Sequence, residues 1–255
     1  MFASHPSFIG IDPTAGQHPF TYATLDGDLR LMALGQGDME EVLAFTAGQH
    51  QAFVAVCAPC RPGQGMMENA DIRQHLSPPP HPGRWRNFRV AEYLLGQHHI
   101  ICPRTPASEA DCPGWMRMGF TLYRRLEGFG YRSYPAGEAL LQWLEVYPHA
   151  SYCALLGSVP FPKYTLEGRI QRQLMLHKLR LHVPDPMDFF EEITAHRLLQ
   201  GILPMEYIYT QAELDALVAA YTAWLAANQP DQTISLGHPD EGQIILPVSE
   251  LKTKY

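Results

Sequence analysis

The segment Ser-Phe-Ile-Gly-Ile-Asp, residues 7–12, does more than any other to set the architecture of this chain. It is a short apolar run that ends on an acid, and Pro13 and Gly16 follow it. A run of this length, bounded by residues typical of turns, predicts a buried β-strand with Asp12 at its carboxyl end. An acid at the tip of a buried strand is the first indication of a functional site.

Two further strands are predicted directly after this one. Residues 18–25 and 29–34 alternate between apolar and polar side chains, and Asp26-Gly27 between them is a strong hairpin motif. The first three strands are therefore expected to form an antiparallel meander.

The pattern then changes to one typical of α/β proteins. Residues 39–46 have helical spacing behind Asp38, a suitable N-cap, and residues 53–57 form another apolar strand. Residues 61–87 are rich in Pro and Gly and predict a long surface loop. The other predicted elements are helices at 88–97, 115–127, 165–180, 186–199 and 211–228 and strands at 131–134, 140–147 and 243–246.

The composition agrees with an ordinary globular protein. The chain has 255 residues, 46% of them hydrophobic and 18% charged, and its 20 Gly and 22 Pro stay below the share found in disordered chains. Because no repeat or break in composition divides it, we expect one domain over residues 1–255. No segment approaches the roughly eighteen apolar residues of a membrane span, and the amino terminus does not resemble a leader. We therefore expect a soluble, cytoplasmic protein without a membrane partner; the sequence leaves its oligomeric state open.

The charge distribution limits how the protein could bind nucleic acid. A net charge of −7 argues against non-specific coating of a polyanion. However, residues 83–182 contain thirteen basic and seven acidic residues, a net charge of +6. The fold could gather this charge into a local basic groove, and the alternative is an ordinary solvated surface.

Three acids occur where a core element would present them. Asp12 ends the first strand, Glu145 lies in the apolar stretch Leu-Leu-Gln-Trp-Leu-Glu-Val-Tyr, and Asp215 lies in a helix otherwise lined with small apolar residues. Burying an isolated charge is costly, but carboxylates from separate elements are tolerated when they share divalent cations such as Mg²⁺. The alternative for each acid is a set of backbone hydrogen bonds or a pairing with Arg.

The same positions belong to a series of short motifs that resembles a known family. The motifs are Ile9-Gly10-Ile11-Asp12, Ala58-Pro59, Leu144-Glu145-Val146-Tyr147-Pro148, Lys163 with Gly168-Arg169, Leu214-Asp215-Ala216-Leu217, and Glu241-Gly242 ahead of Ile245-Leu246-Pro247. In this order they resemble the domain of unknown function 429 family, described as predicted nucleases with an RNase H fold. The resemblance extends from Phe8 to about Val248.

The resemblance implies an α/β fold of the RNase H type, with a mixed five-stranded sheet, flanking helices and helical insertions. It also implies that Asp12 and Asp215 face each other and bind metal, with Glu145 completing the set. Two Mg²⁺ or Mn²⁺ ions roughly 3.5–4 Å apart would then support phosphodiester hydrolysis. Glu241 belongs to the last motif and is included in the candidate site without an assigned role.

Cys57 is a departure from the family pattern. The family commonly has Asp-Ala-Pro at this point, whereas this chain has Cys57-Ala58-Pro59. A thiol is softer than a carboxylate and mostly protonated near neutral pH, so it does not replace one as a ligand of Mg²⁺. Either Cys57 is not a ligand position, or the site is weakened, altered in its metal, or inactive.

Cys57 and Cys60 also form a Cys-x-x-Cys motif. This spacing occurs in redox pairs and in zinc sites, where Cys102, Cys112, His98 or His99 would supply the remaining ligands. The redox hypothesis requires a helix directly after the first Cys, and the zinc hypothesis lacks a second closely spaced pair. Buried, unreactive thiols are the favoured interpretation.

Three basic residues are candidates for phosphate binding. Lys163, Arg169 and Arg172 lie near the start of one predicted helix, and the two arginines share a face. The alternative is ordinary surface charge. By the same spacing, Arg89 and Glu92 are expected to form an internal ion pair.

Three functions follow from these features. The first is a metal-dependent nuclease that binds nucleic acid through a local basic groove. The second is a catalytically silent binding or scaffold protein of the same fold. The third is a sugar kinase or ATPase related to actin, suggested by the turn at residues 10–16, but such proteins need a second domain and a second phosphate loop.

Overall fold

The computed structural model describes residues 6–14, 19–76, 79–81, 83 and 85–255, and in these it contains one mixed sheet of eight strands. The strands are β1 Ser7–Asp12, β2 Phe20–Leu25, β3 Leu31–Gly37, β4 Ala52–Val56, β5 Arg132–Ser133, β6 Leu141–Glu145, β7 Ile234–His238 and β8 Gly242–Leu246. Their order across the sheet is β3-β2-β1-β4-β6-β8-β7, and β5 pairs with β6. The α/β class is confirmed, and the described sheet has eight strands where five were expected.

The sheet begins as the sequence predicts. Strands β1, β2 and β3 form an antiparallel meander, with Asp12 opposite Thr21 and Phe8 opposite Leu25. Strands β4, β6 and β8 then continue parallel to β1, and β7 is antiparallel to β8. The carboxyl ends of β1, β4 and β6 therefore meet at one edge, where residues 12, 57 and 146 follow each other across the sheet.

Helices cover both faces of the sheet. They are α1 Met39–Ala47, α2 Ala70–His75, α3 Val90–Gln97, α4 Gly114–Gly128, α5 Pro148–Leu156, α6 Leu166–Lys178, α7 Asp188–Glu191, α8 Ala195–Leu199 and α9 Gln211–Asn228, with 3-10 turns at Met66–Glu68, Glu109–Asp111, Met205–Tyr207 and Pro230–Gln232. Among the described residues, none of these helices has both the length and the apolar character needed to cross a bilayer. Helix α1 starts at the predicted N-cap, Asp38, which forms a capping box with Glu41.

Three sequence predictions need correction. Residues 61–87 are not all loop, because α2 and a 3-10 turn lie within them. The helix predicted at 186–199 is two short helices, since Thr194 accepts a hydrogen bond from the Arg197 N–H and so caps a new start. The strand predicted at 140–147 ends at Glu145 because Tyr147 is the N-cap of α5 and Pro148 its first residue.

Some predicted features fall on residues outside the described part of the chain. The turn expected at Pro13 to Gly16, and with it the turn that suggested a kinase, includes the undescribed residues 15 and 16, and the strand predicted at 18–25 starts at the undescribed residue 18. Positions 77, 78, 82 and 84 of the predicted loop are also outside it.

The two faces of the sheet have separate hydrophobic cores. One core contains Phe8, Ala55, Leu144 and Val146 packed against α9. The other contains Ile11, Val56 and Trp143 packed against α1 and α4. Side chains alternate between the two faces along a strand, so neighbouring residues of one strand join different cores.

Candidate functional site

Asp12 and Asp215 come together on the α9 face of the sheet, at the carboxyl edge of β1. Asp12 lies at the tip of β1, and its Oδ1 accepts a hydrogen bond of 3.1 Å from the backbone N–H of Thr14. Asp215 lies in the second turn of α9 and is buried, with 8% of its surface exposed. Its Oδ1 accepts a 2.6 Å bond from Nε2 of Gln211, one helical turn earlier. We call Asp12 and Asp215 the aspartate pair.

Gly10 explains why the two acids meet. A Cβ on Gly10 would lie 1.9 Å from the carbonyl oxygen of Ala216 and 2.5 Å from the amide nitrogen of Ala220. The backbone of α9 therefore rests directly on β1, an approach that only glycine permits. Gly10 precedes Asp12 by two residues on the same face, and Ala216 follows Asp215, so this contact brings the two acids together.

The aspartate pair is electrostatically strained. Burial, together with the charge of Asp12, raises the pKa of Asp215 to about 7, while the positive charge of Lys163 and the bond from Gln211 act in the opposite direction. Burial also raises the pKa of Asp12, against the lowering effects of the Thr14 N–H and Lys163. Two carboxylates in one buried site repel each other, and a cation between them would relieve the repulsion.

Cys57 lies at the end of β4, next to the pair. Its N–H donates to the carbonyl oxygen of Ile11 at 2.8 Å, and its thiol donates to the backbone oxygen of Asp215 at 3.6 Å. Burial, and then the charges of Asp12 and Asp215, raise the pKa of this thiol well above its usual value. Cys57 is therefore neutral, and it stands where the family resemblance leads one to expect an acid.

Glu145 lies on the other face of the sheet from the pair. Leu144 on β6 and Val146 directly after it pack against α9, so Glu145 between them points to the opposite side. Its Oε2 accepts bonds of 2.9 Å from the Cys60 N–H and 3.1 Å from Arg89, whose other terminal nitrogen bonds Oε1. The expectation that Glu145 joins Asp12 and Asp215 therefore needs correction, because the alternation of side chains along the strand puts Glu145 on the opposite face of the sheet.

Arg89 organises a second buried cluster around Glu145, which we call the Arg89 network; it consists of Arg89, Glu92, Glu145 and Glu241. The predicted internal pair is present, with Arg89 Nε 2.9 Å from Glu92 Oε1. Arg89 also donates to the backbone oxygen of Glu241 at 3.2 Å. Although burial alone would lower the pKa of Arg89, the charge of Glu145 and its hydrogen bonds raise it well above its usual value. Arg89 is thus a permanent buried cation.

Glu241 joins the loop after β4 to the start of α3. Its Oε1 accepts from the Gln64 N–H at 2.8 Å, and its Oε2 accepts from the Val90 N–H at 2.9 Å. Val90 is the first residue of α3, so this carboxylate satisfies a backbone donor that the helix leaves free. Glu241 is fully buried and engaged in structural bonds, apart from the aspartate pair.

The three basic candidates have different environments. The charge of Lys163 acts on both members of the aspartate pair. Arg169 donates to the carbonyl oxygens of Tyr209 and Ile208 at 2.7 and 2.8 Å. Arg172 is buried and donates to the carbonyl oxygens of Phe161 and Gly168 at 2.9 and 2.8 Å. The structure brings Lys163 to the pair. The two arginines bind backbone, and the charge of the buried Arg172 also acts on Asp215.

The arginines nevertheless support the site. Arg172 holds the segment that carries Lys163 against α6, and Gly168 permits that contact, because a Cβ there would lie 2.0 Å from the Pro162 carbonyl oxygen. Arg169 holds the residues that lead into α9. The Lys163 and Gly168-Arg169 motif therefore positions a cation beside the pair.

Gln211 is the site residue that the sequence interpretation missed. It lies four residues before Asp215, a spacing that puts two side chains on one helix face. Its Nε2 bonds Asp215, while its Oε1 is buried and has no hydrogen-bond partner among the described residues. The i, i+4 spacing from a candidate acid was the feature that could have identified it.

The cysteines form no arrangement for zinc or redox chemistry among the residues described. All five are free thiols, and the described residues contain no group of three or more His, Cys, Asp or Glu side chains placed to hold a metal. Burial, followed by the charge of Glu145, raises the pKa of Cys60 to about 12. These thiols are protonated at neutral pH and are weak nucleophiles.

Fold and site together define an α/β protein with a mixed sheet and a buried aspartate pair at the carboxyl edge of its first strand. A family model described as "Protein of unknown function (DUF429)" matches residues 10–241, and the chain belongs to this family. The match includes both aspartates, Lys163 and Glu241. No curated protein and no solved structure has significant similarity to the chain.

Proposed function

We propose that the protein is a divalent-metal-dependent phosphodiester hydrolase, a nuclease, with Asp12 and Asp215 at its active site. The observation that carries this proposal is the aspartate pair itself. Two carboxylates share a buried site in which hydrogen bonds and the charges of Lys163 and Arg172 only partly offset burial and repulsion, as the raised pKa values of both acids indicate. Such perturbed acids are typical of functional sites.

The residues present fit Mg²⁺ or Mn²⁺. Hard divalent cations prefer carboxylate and amide oxygens, which Asp12, Asp215 and Gln211 offer. The buried Oε1 of Gln211, which has no partner, is a further oxygen beside Asp215. The neighbouring thiol of Cys57 is protonated, so it offers no thiolate to a softer metal that would compete with Mg²⁺ or Mn²⁺.

The roles of the chain's own residues follow from their contacts. The Thr14 N–H holds the Asp12 carboxylate, and the Gln211 amide holds that of Asp215, so both acids are oriented before a cation binds. Lys163 is the cation placed to attract a phosphate toward the pair. When bound, a divalent cation would supply water activation and charge stabilisation at the leaving oxygen.

The topology supports the same proposal. The meander β3-β2-β1 followed by the parallel strands β4 and β6, with one acid at the tip of β1 and another on the helix against it, has the arrangement implied by the resemblance to RNase H-like nucleases. The free cysteines agree with a reducing cytoplasmic location. Nucleic acid would approach the pair from the side of Lys163, whose charge acts on both aspartates.

The direct test is cleavage of labelled single-stranded, duplex and branched DNA and RNA in Mg²⁺ or Mn²⁺. We expect Asp12→Asn and Asp215→Asn each to reduce cleavage at least about a hundredfold, since each removes a charged ligand. Asp28→Asn, which changes an exposed acid of the β2–β3 turn, is the matched control. Equal cleavage by wild type and both active-site variants would reject this site.

A second candidate function, a nucleic-acid-binding protein without turnover, is favoured by Cys57. The neutral thiol interacts with both acids from the position where the family resemblance implies a carboxylate. In this case wild type would bind Mn²⁺ and nucleic acid without cleavage, and Cys57→Asp would increase Mn²⁺ affinity by adding a hard ligand. Cleavage by wild type would decide against this candidate.

A further inference from the structure

Gln211 has one satisfied and one unsatisfied end. Its Nε2 donates to Asp215 at 2.6 Å, whereas its Oε1, on the same amide, is buried without a partner among the described residues. Buried acceptors are nearly always paired, so one that is not requires an explanation. The neighbouring carboxylate points to a cationic or hydrogen-donating ligand that binds beside Asp215.

The orientation of the amide is determined by its neighbour. Toward the ionised carboxylate, which is the form that binds a cation, the amide donates through Nε2; the reversed amide would set two acceptors against each other. The oxygen is joined to the same carbon as the nitrogen, so it stays within a few ångströms of Asp215.

The backbone under Gln211 is also fixed. Gln211 is the first residue of α9, directly after Thr210, which forms a capping box with Glu213. The Glu213 carboxylate accepts from the Thr210 N–H at 2.7 Å, and the Thr210 side chain accepts from the Glu213 N–H at 3.3 Å. Two reciprocal bonds thus hold the turn that carries the amide.

We propose that Oε1 of Gln211 is the third protein oxygen for the divalent cation held by Asp12 and Asp215. It fills the place that the sequence interpretation gave to Glu145, which the structure puts on the other face of the sheet. This inference rests on the metal site of the proposed function. A neutral amide oxygen adds a ligand to the aspartate pair without adding negative charge, and it selects hard cations over Zn²⁺.

The two ends of the amide can be tested separately by substitution. Gln211→Met keeps the approximate size of the side chain but removes both ends, and Gln211→Glu keeps an oxygen but loses the N–H. If the oxygen is a ligand, Gln211→Met weakens Mn²⁺ binding about tenfold, and Gln211→Glu binds at least as tightly as wild type. If only the N–H matters, both variants lose affinity equally, and the inference is wrong.

The measurement is titration calorimetry of the full chain with Mn²⁺ and with Mg²⁺ in the absence of nucleic acid. Gln200→Met, at an exposed position on another helix end, is the matched control and should bind like wild type. In wild type, saturation with Mg²⁺ should also shift the ¹³C resonance of the Gln211 carboxamide while leaving that of Gln200 in place. An unshifted Gln211 resonance at saturation contradicts ligation even if a variant fails to fold.

The outcomes distinguish this inference from the proposed function. Loss of Mn²⁺ binding in Asp12→Asn and Asp215→Asn, together with unchanged binding in Gln211→Met, overturns only the role of Gln211. No Mn²⁺ binding by wild type overturns the metal site and the role of Gln211 together.

Discussion

The aspartate pair and the Arg89 network lie at the same edge of the sheet, on opposite faces, and both bury carboxylates. In the Arg89 network each acid has strong donors: both oxygens of Glu145 bond Arg89, and those of Glu241 bond backbone N–H groups. In the aspartate pair the donors among the described residues are one amide and one backbone N–H. The donors around each carboxylate, and not burial alone, therefore distinguish the two clusters.

The difference also separates structural from functional acids. A buried ion pair with complete hydrogen bonding has no capacity left for a ligand, and removing one member leaves an uncompensated charge. A buried like-charged pair destabilises the fold and is tolerated where binding relieves the repulsion. Five substitutions test this contrast. Three of them have their own control, and Asp215→Asn and Glu145→Gln are compared with each other.

The largest effect is expected for Arg89→Met. It removes the cation from a cluster of buried acids, so we expect a loss of about 3–5 kcal/mol in the free energy of unfolding, measured by urea denaturation. Arg30→Met is the control, because Arg30 pairs with Asp28 at the surface, and it should be close to wild type. A small loss in Arg89→Met would mean that the Arg89 network does not stabilise the fold.

Gly10→Ala should act on the aspartate pair through the backbone. Because the added methyl group meets the α9 backbone, the helix must move away from β1, which we expect to cost about 2–3 kcal/mol and to weaken Mn²⁺ binding. Gly96→Ala, within α3, has no atom within 4 Å of its new Cβ and should be neutral or stabilising. Unchanged stability and Mn²⁺ affinity in Gly10→Ala would contradict the close contact.

Replacing an acid by its amide should have opposite effects in the two clusters. The pKa of Asp215 is raised to about 7, so the folded metal-free protein holds this proton more tightly than the unfolded chain, and stability falls as pH rises from about 4 to about 7. Asp215→Asn should remove that fall and stabilise the metal-free protein by about 1–3 kcal/mol at pH 8.

Glu145→Gln, in contrast, should destabilise the protein by about 3 kcal/mol, because it leaves Arg89 without its charged partner. Thermal and urea denaturation at pH 5 and pH 8 measure both variants. Destabilisation by both at pH 8 would remove the distinction between the clusters.

Lys163→Met should have the smallest effect on stability. Lys163 lowers the pKa of both aspartates, so its loss should raise the pKa of Asp215 further, as ¹³C carboxyl titration by NMR would show. If Lys163 also contacts phosphate, the slope of log affinity for nucleic acid against log salt concentration should become smaller by about one, since one fewer counterion is released. Lys178→Met, at the other end of α6, is the control.

Local sequence patterns predicted the elements that local physics controls. The strand ending at Asp12, the helix capped by Asp38 and the long helix with Asp215 follow from periodicity, turn residues and capping. Helix α5 was missed because its sequence continues the apolar run of β6 without a polar cap. Strand β7 was missed because it is short and Gly237 within it disfavours a strand.

The site was predicted only in part, since its composition depends on contacts between distant segments. Asp12 and Asp215 could be selected because each interrupts an apolar element. Which face of the sheet Glu145 occupies depends on how β6 pairs with β4, and that pairing puts Glu145 on the opposite face from the aspartate pair. Gln211 was not selected because an amide at the first turn of a helix is common, and only its unpaired oxygen distinguishes it.

The position of Glu241 has a consequence for the order in which the protein can fold during synthesis. Its carboxylate accepts from Val90, 151 residues earlier, and its backbone oxygen accepts from Arg89, 152 residues earlier. While the ribosome is still making the segment before residue 241, the Val90 N–H lacks its carboxylate acceptor and Arg89 has only Glu92 and Glu145 as partners. The last hairpin, β7–β8, therefore completes the interior of a region translated long before it, and the start of α3 reaches its final set of hydrogen bonds only near the end of synthesis.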